Sequence, residues 1–141
     1  MNVLLSIRPE YSRKIFCREK RYEFRKRKPN EAVHKVFVYE SHPSRRIVGW
    51  FSLKTIHSGS PETIWRMCSN YGGIKSQAYF AYCNGRKIIH AFEIDETFRF
   101  EYPLNPYESI QGFRPPQDFA YCSTGDVGRI LREVRCECSK S

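Results

Sequence analysis

The stretch Lys20-Arg21-Tyr22-Glu23-Phe24-Arg25 brings an amine, a carboxylate and a guanidinium close together along the chain. An amine beside a carboxylate can serve as a general acid/base pair or as an activated nucleophile, and a guanidinium forks onto phosphate. Spacing limits the idea. In a regular strand Lys20 and Glu23 face opposite sides. They share a pocket only if Lys20 sits in the turn before the strand, or if a bulge intervenes. Otherwise they form an exposed ion pair of little energetic worth.

The pair lies within a strongly basic segment. Arg8, Arg13, Lys14, Arg18, Lys20, Arg21, Arg25, Lys26, Arg27 and Lys28 stand against Glu10, Glu19 and Glu23. Such a rim neutralises phosphates and releases counterions without needing sequence-specific geometry. Tyr11, Tyr22 and Phe24 interleave with it and offer faces on which bases stack. The plainer alternative is a solvated hairpin with Tyr22 and Phe24 in the core. The whole chain of 141 residues carries a formal net charge of +9, which favours a polyanionic partner such as RNA or another single-stranded nucleic acid. It disfavours a protein adaptor whose charge is incidental.

Other chemistry is less well marked. His34, His42, His57 and His90 stand at no ligand spacing to one another or to a cysteine pair. Cys136-Glu137-Cys138 lacks the second pair that a zinc site requires. Neither a Gly-rich phosphate loop nor a Gly-x-Ser-x-Gly elbow occurs, so no cofactor and no metal are expected. The apolar run Val3–Ile7 is too short for a signal peptide, and no stretch is long enough to span a membrane. A cytoplasmic location, no membrane association and six reduced cysteines are the expectation.

Strands and short helices must position these groups. Val3 to Ile7 reads as a strand, and Arg8-Pro9-Glu10 opens a helix that ends near Cys17. Lys20 to Lys28 alternates as a strand with one wet face, Val36 to Tyr39 reads as a buried strand, and Ile47 to Ile56 as the longest. Within the last, Gly49 marks a bulge or a close backbone approach. Ser60-Pro61-Glu62 starts a second helix with Ile64, Trp65 and Cys68 on its apolar face. Gly72-Gly73 separates it from a third helical stretch, Ile74 to Tyr82. Strands follow at Lys87 to Ile94 and Phe98 to Tyr102, then an ordered loop from Pro115 into a short strand near Tyr121. A last helix is expected from Asp126 to Val134. Residues 1–135 then form one domain, with 136–141 a flexible tail. The order of elements reads as α+β, built around a curled sheet or partly open β-barrel with short flanking helices.

Several blocks resemble the ASCH-domain family of the PUA-like superfamily. They are Leu4-Leu5-Ser6-Ile7-Arg8-Pro9-Glu10-Tyr11, Lys14-Ile15-Phe16, and Lys20-Arg21-Tyr22-Glu23-Phe24-Arg25, which is close to the family pattern Gly-x-Lys-x-x-Glu-x-Arg. Tyr39-Glu40-Ser41-His42-Pro43, Ile47-Val48-Gly49-Trp50-Phe51, His90-Ala91-Phe92-Glu93-Ile94, Pro103-Leu104 and Pro115-Pro116-Gln117-Asp118-Phe119 resemble later blocks, in order, over residues 3–121. The family's Gly before the Lys is Arg18 here; if that position needs a left-handed backbone, Arg18 is strained or the turn differs.

The resemblance implies a PUA-like partly open barrel and a cleft between the first helix and the barrel. It places Lys20, Glu23, Arg25, Tyr39, Ser41 and Gln117 near that cleft. Tyr39 would offer a face to a base, Ser41 and Gln117 edge contacts, and Arg25 a phosphate fork. Arg8, Lys14, Arg18, Arg21 and Arg27 would complete the nucleic-acid-binding rim. The function expected is recognition of RNA or a modified nucleoside, in a regulatory role. The alternative is a hydrolase of the same fold, a ribonuclease or an amidohydrolase on an acylated cytidine, using Lys20 and Glu23 as catalytic groups. Family amidohydrolases use a Lys, a Thr and a Glu. Lys20 matches the first, Glu23 stands in the place of the Thr, and Glu62 and Glu93 are candidates for the distant Glu by location only.

Overall fold

A computed structural model of the protein describes residues 1–123 together with Gly125, Arg129 and Ile130. The helix expected from Asp126 to Val134 and the tail from Cys136 lie outside the described residues, apart from Arg129 and Ile130.

The chain opens with β1 (Val3–Ile7) and α1 (Pro9–Phe16). Pro9 takes the first helical position, where its missing N–H costs nothing. After Cys17 the backbone turns left-handed at Arg18, with φ 71°. An L side chain there costs on the order of 1 kcal/mol. The turn expected of a glycine is therefore present, and Arg18 carries it. β2 (Tyr22–Arg25) is much shorter than the alternation from Lys20 to Lys28 implies. Its pairing with β5 starts only at Tyr22, which leaves Lys20 in the preceding turn.

β3 (Lys35–Glu40), β4 (Arg46–Gly59) and β5 (Ile89–Leu104) form the centre of a six-stranded mixed sheet. The strand order is β2-β5-β4-β3-β1-β6, where β6 is Phe119–Tyr121. β1 pairs parallel with β3, the β6 edge is antiparallel, and the sheet curls into a half-barrel. The extended runs at Lys87–Ile94 and Phe98–Tyr102 are one long bent strand, because β4 is long enough to pair with both. Pro103 is tolerated because it falls in a register break, where Leu104 aligns with Ile47 while Arg99 aligns with Gly49. Gly49 is also a close approach: a Cβ there would collide with the Phe98 carbonyl oxygen and press on the Phe16 ring.

β3 is buried on both faces, and its alternation feeds two cores. Val36 and Val38 pack with Val3, Leu5, Ile15 and Phe51, while Phe37 and Tyr39 pack with Leu4, Ile47, Phe100 and Ile130. The helical insert, α2 (Pro61–Cys68) and α3 (Ser76–Cys83), makes a third core against β2 and β5. Trp65 belongs there, stacked on Tyr79 with ring centroids 4.6 Å apart. Ser60 caps α2 by accepting from the Thr63 N–H. A one-turn α4 (Pro106–Ser109), which the sequence did not signal, brings Tyr107 to Tyr39. No helix among the described residues is long and apolar enough to cross a membrane.

Candidate functional site

A cleft of about 430 Å³ opens between the start of α1, strand β2 and the wet side of α3. Its lining includes Ser6, Arg8, Tyr11, Lys20, Glu23 and Arg25 on one side, and Ile74, Ala78, Ala81 and Tyr82 on the other. Volumes of this order suit a nucleotide-sized ligand.

Lys20 is 1% exposed and forms part of the floor. Its Nζ donates to the Gly72 carbonyl at 2.6 Å and lies 3.6 Å from Glu23 Oε1. The rings of Phe24 and Tyr11 lie 4.9 and 5.4 Å from the ammonium. Burial pushes the Lys20 pKa below the ordinary lysine value; Glu23 opposes the shift and Lys14 adds to it. Glu23 is buried too, and Arg25 Nη1 stands 3.7 Å from its second oxygen. The order along the wall is therefore cation, anion, cation. Arg25 is itself fixed: Nη1 donates to the Ser6 carbonyl at 3.3 Å and Nη2 to the Asp118 carbonyl at 2.6 Å.

The chain between α2 and α3 is shaped around this lysine. Gly73 has φ +65°, and a Cβ on it would stand 2.6 Å from Lys20 Cβ and 2.8 Å from Cγ. Lys14 Nζ donates to the Gly73 carbonyl at 3.2 Å. Gly73→Ala is therefore expected to cost about 2 kcal/mol or more, from the positive φ and the displaced lysine together. Chemical denaturation measures it; a loss below about 0.5 kcal/mol, the level of an ordinary surface change, would show that Lys20 does not pack there.

Not every expected site residue meets in this cleft. Lys20, Glu23, Arg25 and Arg8 line it. Lys14 supports it through Gly73. Arg18 does not line it, and its Nη1 is buried without a hydrogen-bond partner. Arg21 stands outside, exposed, with its guanidinium 4.2 Å from the centre of the Tyr71 ring. Arg27 faces a neighbouring concavity and pairs loosely with Asp118 at 3.7 Å. Tyr39 is 2% exposed and packs in the second core, with its hydroxyl 2.7 Å from that of Tyr107, so it presents no free face to a base. Burial, the Tyr107 hydrogen bond and the Tyr107 charge hold its pKa up at about 12. Ser41 does not line the cleft; its backbone N–H closes the end of β3 on the Ile7 carbonyl at 3.0 Å. Gln117 is exposed and outside the lining, though its neighbours reach the wall. The Pro116 carbonyl accepts from Ser6 Oγ at 2.8 Å, and the Asp118 carbonyl accepts from Arg25.

Of the carboxylates considered for a distant partner, Glu62 is exposed and Glu93 is held by His57 Nε2 at 2.8 Å; neither lines the cleft. Among the described residues no cluster of His, Cys, Asp and Glu is grouped to hold a metal ion.

The α3 wall escaped the sequence reading. Ala78, Ala81 and Tyr82 share one side of the helix, at i, i+3 and i+4, while Tyr79 and Cys83 face the core. The available signal was a helix with alanines at i and i+3 beside its buried Tyr79 and Cys83, shortly after a tandem glycine.

The ASCH domain family profile matches residues 5–99. Ribosomal protein uL22 of the large subunit of Ureaplasma parvum is 30% identical over 122 residues, covering 84% of this chain. The chain spans only 38% of the length of that relative. An ASCH domain-containing ribonuclease of Zymomonas mobilis is 26% identical over 135 residues, covering 91% of this chain and 88% of the relative. The crystal structure of an ASCH protein from Zymomonas mobilis superposes with a TM-score of 0.87 at 23% identity, over 93% of this chain and 94% of that one, and shows the same fold. With the family profile matched across two-thirds of its residues, this chain belongs to the ASCH domain family.

Proposed function

We propose that the protein binds RNA, or a modified nucleoside, with a base or nucleoside seated in the Lys20 cleft and phosphates on the basic rim. The observation that carries this is the composition of the cleft. Lys20, Arg25 and Arg8 outnumber the one carboxylate, Glu23, while Tyr11, Ile74, Ala78 and Ala81 supply apolar surface. A nucleotide needs that combination: positive potential from the internally paired Lys20 and Arg25, exposed Arg8 to meet phosphate, and flat and small apolar groups for the base. The Zymomonas relative named as a ribonuclease supports an RNA partner.

Ala78→Phe tests the seat. Ala78 is exposed on α3 and lines the cleft, so a phenyl ring there fills the space at little cost to stability. Affinity for a short single-stranded RNA is expected to fall about tenfold or more, worth about 1.4 kcal/mol, with the melting temperature nearly unchanged. Unchanged affinity would sink the seat.

The lowered pKa of Lys20 next to Glu23 favours one second reading, hydrolysis of RNA or of an acylated cytidine. A deprotonated amine can act as base or nucleophile, and its ammonium as acid. Lys20→Arg and Glu23→Gln should then lose product formation while retaining part of their binding. If both variants form product as the parent does, neither group is catalytic. The bond from Lys20 to Gly72 commits one donor of the amine to structure, which is why binding ranks first.

A further inference from the structure

Beside the cleft lies a second concavity of about 460 Å³, bounded by Lys26, Arg27, Lys28, Asn30, His90 and Phe119, with Asp118 at its edge. Three cations face one carboxylate there. Burial, and then the charge of Lys28, lower the pKa of His90, so the imidazole adds hydrogen-bonding capacity rather than charge near neutral pH.

The segment that builds it is held in place. Pro29 is buried, and the Asn30 N–H donates to the Tyr121 hydroxyl at 3.2 Å. His90 Nδ1 is 2.7 Å from Ser58 Oγ, which fixes the ring. Lys26 Nζ sits 4.8 Å from the centre of the Tyr82 ring, and Tyr82 lines the first cleft.

The two concavities share a wall. The Asp118 carbonyl accepts from Arg25 at 2.6 Å on the cleft side, while its carboxylate lies 3.7 Å from Arg27 Nε on the other. Exposed Arg27 and Lys28 therefore follow buried Glu23 and partly buried Arg25 along the chain. A polymer leaving the cleft past Arg25 meets a row of cations, not a closed wall.

We propose that this second concavity is a backbone subsite for single-stranded RNA, taking the phosphodiesters that adjoin the nucleoside in the Lys20 cleft. The assignment extends the cleft reading and rests on it for the direction of the strand. Lys26, Arg27 and Lys28 neutralise phosphate oxygens, Asn30 and His90 hydrogen-bond to phosphate or ribose, and Phe119 offers an edge for the next base. The loose pairing of Arg27 with the half-exposed Asp118 yields readily to a phosphate.

The test uses a six-nucleotide oligouridylate, with affinity measured by fluorescence anisotropy across a salt series. Arg27→Ala/Lys28→Ala is expected to weaken binding about tenfold and to make the log–log salt slope shallower by about 1.4, as loss of two phosphate contacts requires. The control Arg86→Ala/Lys87→Ala removes the same charge from exposed positions that line neither concavity, and should change affinity by less than about twofold. Equal losses in the two pairs, or none at Arg27 and Lys28, would overturn the subsite. Ala78→Phe separates the two ideas. If it leaves binding intact while Arg27→Ala/Lys28→Ala weakens it, the backbone subsite stands and the nucleoside seat fails. The reverse pattern retains the seat and removes the subsite. A parent that does not bind the oligonucleotide at low salt overturns both.

Discussion

Glu23→Ala is expected to destabilise the protein by about 3 to 5 kcal/mol near neutral pH, a fall in melting temperature of roughly 10 to 17 °C. The reason is the lysine left behind. Lys20 is 1% exposed, and among the described residues Glu23 is the only side-chain anion paired with its ammonium, 3.6 Å away. Without that carboxylate Lys20 must stay charged in an apolar surround or give up its proton. The sign with pH follows. Folding lowers the Lys20 pKa from an ordinary value of 10.5, so the folded state binds fewer protons than the unfolded between the two values. Lys20's penalty is complete below its folded pKa and is relieved as pH rises toward 10.5. Losing Glu23 lowers the folded value further, because Glu23 is what opposes burial. The Glu23→Ala deficit should therefore shrink as pH rises above the variant's own folded Lys20 pKa, where the unpaired amine is relieved of its proton. Denaturant unfolding of the parent, Glu23→Ala and Lys20→Met/Glu23→Ala across pH measures this. The double variant should recover much of the loss, since it leaves no buried charge unpaired. A Glu23→Ala cost below about 1 kcal/mol, or one that grows with pH, would show that Lys20 is not held as a buried ammonium.

Affinity for single-stranded RNA is expected to fall about 100-fold between about 50 and 200 mM salt, a log–log slope near −3 to −4 from about four to six phosphate contacts. That number is smaller than the basic residues of the segment Arg8 to Lys28 would allow. Lys20 is buried and paired, Arg18 has a guanidinium nitrogen turned into the protein, and Arg25 spends both terminal nitrogens on backbone carbonyls. Arg8, Arg27 and Lys28 are exposed and, with Lys26, line the two concavities. A slope near zero would remove the rim as the source of affinity, and one steeper than about −6 would mean that the surface beyond both concavities binds as well.

Much of the scaffold is legible in local sequence. Pro9 and Ser60-Pro61 mark helix starts because φ restriction and capping act within one turn. Val36 to Tyr39 reads as a buried strand from its β-branched and aromatic content alone. The alternation from Lys20 to Lys28 overstates β2, because alternation reports which residues would suit a strand and not where a partner strand ends. The sequence presents two extended runs, Lys87 to Ile94 and Phe98 to Tyr102, where the fold has one strand, because the register shift of β5 against β4 between Ile94 and Thr97 is visible only with both strands present.

The candidate site divides in the same way. The residue types at Lys20, Glu23 and Arg25, and the basic run from Arg8 to Lys28, are properties of the sequence by itself, as is the bulge or close approach marked by Gly49, while the family resemblance raised the left-handed backbone that Arg18 adopts. Only the tertiary structure decided that Lys20 is a buried group, since Gly73 and Phe24 pack against it and the Gly72 carbonyl accepts its hydrogen bond. It also decided that Tyr39 serves the core while Ala78 and Ala81 line the cleft. Periodicity is a short-range signal, limited to a turn of helix or a few residues of strand. Lys20 to Gly72 and Arg25 to Asp118 are contacts across 52 and 93 positions, and burial and charge pairing at such separations depend on how the whole sheet curls.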